Sequence, residues 1–127
     1  MKKNTDVLFK NLKKNYSIDE AKNEIDEILR SYGENVKITF YKTGCEIVDS
    51  YKVRDVDTRH RVCEIIARSG VTNRSYEDLS AEWRFHNDAW DIHLKRDSAK
   101  DVMLDYDGDP RKSVRTATAI YDAVDHE

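Results

Sequence analysis

The stretch from Ser75 to Leu94, SYEDLSAEWRFHNDAWDIHL, constrains the fold of this chain more than any other. Its apolar residues recur at helical spacing and form two adjacent stripes. Such a wide apolar arc indicates a helix that other elements cover on more than one side. Ser75, with Asp78 three residues later, is typical of a helix start. The first stripe contains Tyr76, Leu79, Trp83, Trp90 and Leu94, and the second contains Ala81, Phe85, Ala89 and Ile92.

Further helices and strands are predicted on both sides of this helix. Ser17-Ile18-Asp19-Glu20 is a capping box, and the helix that it opens should run to Tyr32, just before Gly33. Two alternating segments rich in β-branched and aromatic residues, 36–41 and 45–53, predict a β-hairpin. The other predicted elements are a third strand over 101–106 and helices over 4–14, from Asp55 or Asp57 to Gly70, and from Asp109-Pro110 to Val124.

This order of helices and strands does not alternate strictly, so it favours an α+β fold over a doubly wound sheet. We expect a small, mostly antiparallel three-stranded sheet packed with four to five helices, with the helix at about 75–94 in the centre. A chain of 127 residues is expected to form a single domain over 1–127. Residues 1–15 would form a loosely attached N-terminal helix, because a short isolated helix is only marginally stable.

The charge of the chain argues against a general nucleic-acid binder. Charged residues make up 37% of the sequence, but the net charge is −3, which is not the footprint of such a protein. The segment 66–72 between two predicted helices is close to a helix-turn-helix, but the following helix starts with carboxylates, so we expect no DNA binding through it. A weaker basic set is interpreted as a solvated face; it comprises Lys52, Arg54, Arg59, Arg61 and Arg68 with Tyr51.

Cysteine usage and the absence of long apolar runs favour a cytoplasmic protein. Cys45 and Cys63 form no disulfide framework or CxxC pair, and we interpret both as reduced and buried. The lysine-rich N-terminus lacks the apolar core of a signal peptide, and no run is long enough to span a membrane. Export without a cleaved signal is compatible with the same features.

Glu82, His86 and His93 are the sharpest candidates for chemistry. Glu82 and His86 lie one helical turn apart and can share a metal ion, whereas His93 is almost two turns further on. Asp101, Asp105 and Asp107 could complete a weak cation site. The EF-hand pattern fails in this segment, because Pro110 and Thr116 stand where Gly and Glu are required. No protein-bound cofactor is expected.

His86 and Asn87 lie within the apolar arc of the central helix and are unusual for that reason. A core histidine bonded to Glu82 or to a backbone carbonyl is the favoured interpretation. Because buried polar groups need partners, we predict a buried polar cluster, which is either a site or a core network. Its members are Trp83, His86, Asn87 and Trp90.

Three functions are compatible with these features, and a non-enzymatic one is favoured. The first is a small binding protein with an inhibitor, immunity-type or adaptor role, whose acidic helix binds another protein. The second is a metal-dependent hydrolase or nuclease with Glu82 and His86 as catalytic residues and the 101–109 segment as further ligands. The third is a structural or accessory domain that dimerises through Phe85, Ile92 and the amphipathic N-terminal segment. The predicted partner-binding residues are Glu20, Glu24, Asp26, Glu27, Phe85 and Ile92.

Overall fold

A capping box opens the first helix, as the sequence predicts. The structure is a computed structural model, and it describes residues 7–42, 44–98 and 117–121. Helix α1 spans Ile18–Leu29, with Ser17 as N-cap. The Glu20 amide donates to the Ser17 hydroxyl over 3.1 Å, and the Ser17 amide donates to the Glu20 carboxylate over 2.9 Å. A 3₁₀ turn over Arg30–Tyr32 follows α1, so the predicted helix ends as a tighter turn.

The predicted hairpin forms, with a shorter second strand. Strands β1 (Lys37–Tyr41) and β2 (Gly44–Val48) are antiparallel, and Ile38 lies opposite Ile47. Asp49 takes a left-handed conformation with φ 57°, which ends β2, and a 3₁₀ turn over Ser50–Lys52 follows. The predicted strand over 45–53 is therefore too long, because an aspartate tolerates this conformation better than most residues do.

Two helices follow the hairpin and pack against each other. Helix α2 spans Val56–Arg68, and its N-cap Asp55 accepts a hydrogen bond from the Thr58 amide over 2.9 Å. Gly70 follows the helix at φ 80°, a left-handed conformation that suits glycine at a helix end. Helix α3 spans Tyr76–Ser98, and the Ser75 hydroxyl accepts from the Asp78 amide over 3.1 Å.

The fold class is α+β, but the predicted architecture is wrong in the number of helices and in the segment 117–121, which is a strand and not part of a helix. The described residues contain three α-helices with defined bounds, α1 to α3. The sheet is built on the β1–β2 hairpin. Strand β3 (Ala117–Tyr121) pairs antiparallel with β2 inside a segment that was predicted to be helical. Pairing with the free edge of β2 overrides the helical spacing of this segment, and the predicted strand 101–106 lies outside the described residues.

The hydrophobic core lies between the hairpin and the three helices. Helix α1 packs on β1 and α2, while α3 packs on α2 and on the 3₁₀ turn over Ser50–Lys52. This arrangement buries Leu79, Trp83 and Trp90 of the first stripe of α3 and leaves most of the second stripe exposed. The largest fully buried side chains are Trp83, Ile25, Leu29, Ile38, Ile47, Ile65, Ile66, Leu79, Val53 and Val62.

The chain before α1 is fastened to α2 by backbone carbonyls. Val7 and Leu8 are helical and the residues after them turn towards α1. Arg61 donates to the Leu8 carbonyl over 2.8 Å, Arg68 donates to the Lys13 carbonyl over 3.0 Å, and the Tyr16 amide donates to the Arg68 carbonyl over 3.0 Å. Residues 1–6 of the predicted N-terminal helix lie outside the described residues, and the single-domain assignment stays a prediction.

No helix in the described ranges is both long enough and apolar enough to cross a lipid bilayer.

Candidate functional site

Two members of the predicted polar cluster donate to the backbone that leads into α2. The Trp83 indole donates to the Ser50 carbonyl over 3.0 Å, and the Asn87 amide nitrogen donates to the Val53 carbonyl over 3.1 Å. Both side chains are buried. Trp90 stacks on Tyr51 with ring centroids 4.5 Å apart. This side of α3 therefore holds residues 50–53 in place, which is an architectural task.

His86 points to the other side of the cluster, where Glu82 and Arg74 lie. Glu82 forms an ion pair with Arg74 over 2.7 Å, and its other oxygen lies 3.8 Å from His86 Nε2. Burial acts to raise the pKa of Glu82, but His86 and Arg74 outweigh it and hold this pKa below its ordinary value. Glu82 is thus an ionised carboxylate that is already neutralised by an arginine.

Two buried polar atoms of the cluster, His86 Nδ1 and Asn87 Oδ1, have no hydrogen-bond partner among the described residues. They belong to neighbouring residues, but Asn87 also donates to the backbone while His86 contacts Glu82 and the ring of Phe85. The interpretation of these two residues as unusual stays a prediction. Whether they form a site or a core network stays open as a prediction.

The predicted metal site gains no further ligand from the described residues. Across residues 7–42, 44–98 and 117–121, no group of three or more His, Cys, Asp or Glu is placed to hold a metal ion. Asp101, Asp105 and Asp107 lie outside the described residues, and the side chain of His93 does too. Glu82 and His86 come together as their spacing predicts, and the hydrolase reading stays a prediction.

Both cysteines are free and buried. Burial raises the pKa of the Cys45 thiol to about 12, and the pKa of the Cys63 thiol is raised further in the same direction. Because the thiolate is the nucleophile, neither cysteine is suited to covalent chemistry at neutral pH.

The four acidic residues of α1 that were predicted to bind a partner divide into a structural one and three that share a groove. The Asp26 carboxylate accepts from the Ile38 amide over 2.9 Å and from Lys22 over 2.8 Å, so it ties α1 to β1. Glu20, Glu24 and Glu27 instead line an open groove of about 570 Å³, which we call the α1 groove. Its other lining residues are Lys13, Tyr16, Asn23 and Ile28.

The carboxylates of the α1 groove differ in how far the protein already uses them. Glu20 takes part in the capping box and accepts from Lys13 over 2.6 Å, a hydrogen bond that holds its pKa below the ordinary value. Glu24 accepts from the Tyr16 hydroxyl over 3.0 Å with one of its two oxygens. Glu27 is exposed. The groove therefore presents negative charge beside the apolar surface of Tyr16 and Ile28.

The second apolar stripe of α3 is largely exposed, which corrects the expectation that this helix is covered on more than one side. Phe85 is 59% exposed and Ile92 is 48% exposed, seven residues apart on one face, while Ala89 is buried. The predicted homodimer requires exposed apolar residues such as these, and the homodimer stays a prediction.

Arg59 is the charged residue that sequence reasoning misplaced. It was grouped with a solvated basic face, yet only 7% of its surface is exposed. The signal was present in the sequence, because Arg59 precedes Val62, Cys63 and Ile66 by three, four and seven residues and thus shares the inward stripe of α2. Arg54, from the same set, instead forms a two-bond ion pair with Asp91 over 2.8 and 2.9 Å.

Comparisons with known proteins add no family to this geometry. No protein-family model, no curated protein and no solved structure shows significant similarity to the chain. The functional argument therefore depends on the residues themselves.

Proposed function

We propose that this protein is a small non-enzymatic binding protein that holds a basic segment of another protein in the α1 groove. Three glutamates at helical spacing along an open groove with an apolar side carry the proposal. An inhibitor, an immunity-type protein or an adaptor would use such a surface. The two reduced, buried cysteines favour the cytoplasm as its place of action.

The charges of the groove support a basic occupant over an acidic one. Lys13 is its single lining cation among the described residues, and Glu20 already accepts a hydrogen bond from it. Glu24 and Glu27 then leave an excess of negative charge on the outer side of α1. A lysine or arginine of a partner would add an ion pair here, and complementary charge also speeds association and selects the partner.

The apolar part of the groove gives the partner more than a charge to bind. Tyr16 is buried and Ile28 is half-buried, and both border the groove. The Tyr16 hydroxyl donates to Glu24, which holds that carboxylate beside the hydroxyl end of the ring. A lysine side chain could lay its methylene groups along this surface while its ammonium reaches a glutamate.

The test is the binding of a fluorescein-labelled lysine-rich peptide, measured by fluorescence anisotropy at low and high salt. A glutamate-substituted version of the same peptide is the probe for non-specific sticking. We expect binding of the lysine-rich peptide alone, weakened roughly three- to tenfold by the double substitution Glu24→Gln and Glu27→Gln, because exposed ion pairs contribute up to about 1 kcal/mol each.

Glu34→Gln is the matched control, because it removes the same charge at an exposed position that does not line the groove. It should leave the affinity for the peptide almost unchanged. Equal weakening by the control and the double variant, or no binding of the lysine-rich peptide at low salt, would remove the proposal.

A further inference from the structure

Arg59 is the one charged residue among the buried side chains of the described part of the chain. Among the described residues, its side-chain hydrogen bond runs from Nε to the Ser80 hydroxyl over 3.5 Å, which is long for a good bond. No carboxylate oxygen of the described residues lies within 4.0 Å of its guanidinium nitrogens, which is the distance limit for an ion pair. A guanidinium can donate five hydrogen bonds, so most of its capacity is unused within these residues.

A cleft of about 390 Å³ opens beside this guanidinium, between α2 and α3. Arg84, His60 and Ser80 line it together with Arg59, and each of these side chains can donate a hydrogen bond. The exposed Arg84 forms no ion pair with any described residue. Val56 and Ala81 supply apolar surface, and Glu77 is the one carboxylate among the described residues of the lining.

The electrostatics of the cleft leave a positive charge that is not compensated. Burial is the main cause that lowers the pKa of Arg59, and the charges of Arg84 and Arg54 act in the same direction. The charge of Asp88, which lies beyond ion-pair distance from Arg59, acts to raise this pKa. An arginine nevertheless stays protonated in a protein, so the cleft carries the positive charges of Arg59 and Arg84 beside the carboxylate of Glu77.

We propose that the cleft between α2 and α3 binds a small molecule through an oxyanion group, a phosphate or a carboxylate, held between Arg59 and Arg84. The planar guanidinium matches the oxygens of both groups and binds them with paired hydrogen bonds. The volume falls in the usual range for small-ligand pockets, about 300–1,000 Å³. The site shares no residue with the α1 groove, so it stands or falls independently of the proposed function.

The experiment is a thermal-shift titration of the full chain with sodium phosphate, sodium acetate and sodium chloride at matched ionic strength. A ligand that binds the folded state alone raises the melting temperature in a saturable way. The variants are Arg59→Met and Arg84→Gln, with Arg30→Gln as the matched control for loss of an exposed positive charge. Arg84→Gln keeps the test valid if Arg59→Met does not fold, because Arg84 is exposed.

We expect a saturable rise of a few degrees with phosphate or acetate over chloride in the parent and in Arg30→Gln, and its loss in Arg59→Met and Arg84→Gln. A response to phosphate alone assigns a phosphate group, a response to acetate alone assigns a carboxylate, and both assign a general oxyanion site. Glu77→Gln should strengthen the response severalfold, because it removes the repelling carboxylate. No response beyond chloride, or a response that persists in both arginine variants, overturns the proposal.

Discussion

Two buried polar side chains, one on α3 and one on α2, differ in how well the protein satisfies their hydrogen-bond donors. Asn87, on α3, is 2% exposed and donates to the Val53 carbonyl over 3.1 Å. Arg59, on α2, is 7% exposed and reaches the Ser80 hydroxyl over 3.5 Å, with no described carboxylate in ion-pair contact. The neutral amide has a backbone partner, whereas the charged guanidinium has a weak neutral one.

The difference separates two uses of buried polarity. A buried donor that reaches a backbone carbonyl fixes the position of a segment, and here Asn87 and Trp83 hold residues 50–53 against α3. A buried charge without a counterion weakens the fold unless something else supplies the opposite charge. Removing the first kind should therefore destabilise the protein, while removing the second kind should not.

Trp83 anchors the satisfied side, and its loss should have the largest effect. Trp83→Ala removes a fully buried side chain and its bond to the Ser50 carbonyl. We expect a loss of about 3–5 kcal/mol in the free energy of unfolding, measured by urea titration, which is a large part of the stability of a domain this size. Trp83→Phe keeps a ring and should cost less; an equal loss in both variants would contradict the packing argument.

Asn87→Ala tests the same side without a large cavity. It removes the donor to Val53 and also the unpartnered Oδ1, so the two effects partly cancel. We expect a loss of about 1–2 kcal/mol in the free energy of unfolding, because the Val53 carbonyl is left without this donor. Urea titration against the parent measures it. A variant as stable as the parent would mean that Asn87 does not hold this segment.

Arg59→Met should have the opposite sign. It replaces a largely buried side chain, whose cation has no described carboxylate in ion-pair contact, with an apolar side chain of similar length, and replacing a buried charge in this way is often neutral or stabilising. We expect a gain of up to about 1 kcal/mol in the free energy of unfolding in chloride buffer. A loss comparable to that of Asn87→Ala would erase the comparison, because it would show that the guanidinium is satisfied in the folded protein.

Local signals in the sequence predicted the helices better than the sheet. The capping box at Ser17 and the cap at Asp55 act through neighbouring residues, so the helix starts that they predict are found. Strand β3 depends on an edge of β2 about seventy residues earlier, which spacing within 109–124 cannot reveal. The left-handed Asp49 likewise shortened a predicted strand.

In the candidate sites too, features that depend on neighbouring residues were predicted, and features that depend on contacts between distant segments were not. The closeness of Glu82 and His86 follows from their spacing on one helix, and it was predicted. The burial of Arg59 depends on how α3 packs on α2, whereas the charge of its side chain predicted a position on the surface. Asp26 differs in role from the other acidic residues of α1 because it accepts a hydrogen bond from the Ile38 amide of β1. No sequence pattern within α1 indicates that contact.

Glu82→Gln tests an intermediate case, a half-buried charge that does have a counterion. Because its pKa is lowered in the folded state, Glu82 contributes stability that is present above its ordinary pKa of 4.5 and is lost as pH falls through the folded value. We expect Glu82→Gln to lower the free energy of unfolding by about 1 kcal/mol at neutral pH. This difference from the parent should become smaller below about pH 4.5. Glu34→Gln is the exposed control, and a loss that stays constant with pH would exclude the ion pair with Arg74 as its cause.

Glu27→Gln should have the smallest effect on stability and still be informative. The side chain is exposed on the α1 groove, so the free energy of unfolding should change by less than about 0.5 kcal/mol. Its affinity for the lysine-rich peptide should nevertheless fall about two- to fivefold at low salt, and the difference from the parent should vanish at high salt. Anisotropy and urea titration on the same samples separate the two quantities. A large loss of stability would mean that Glu27, like Asp26, serves the fold, and the groove would then lose its most available carboxylate.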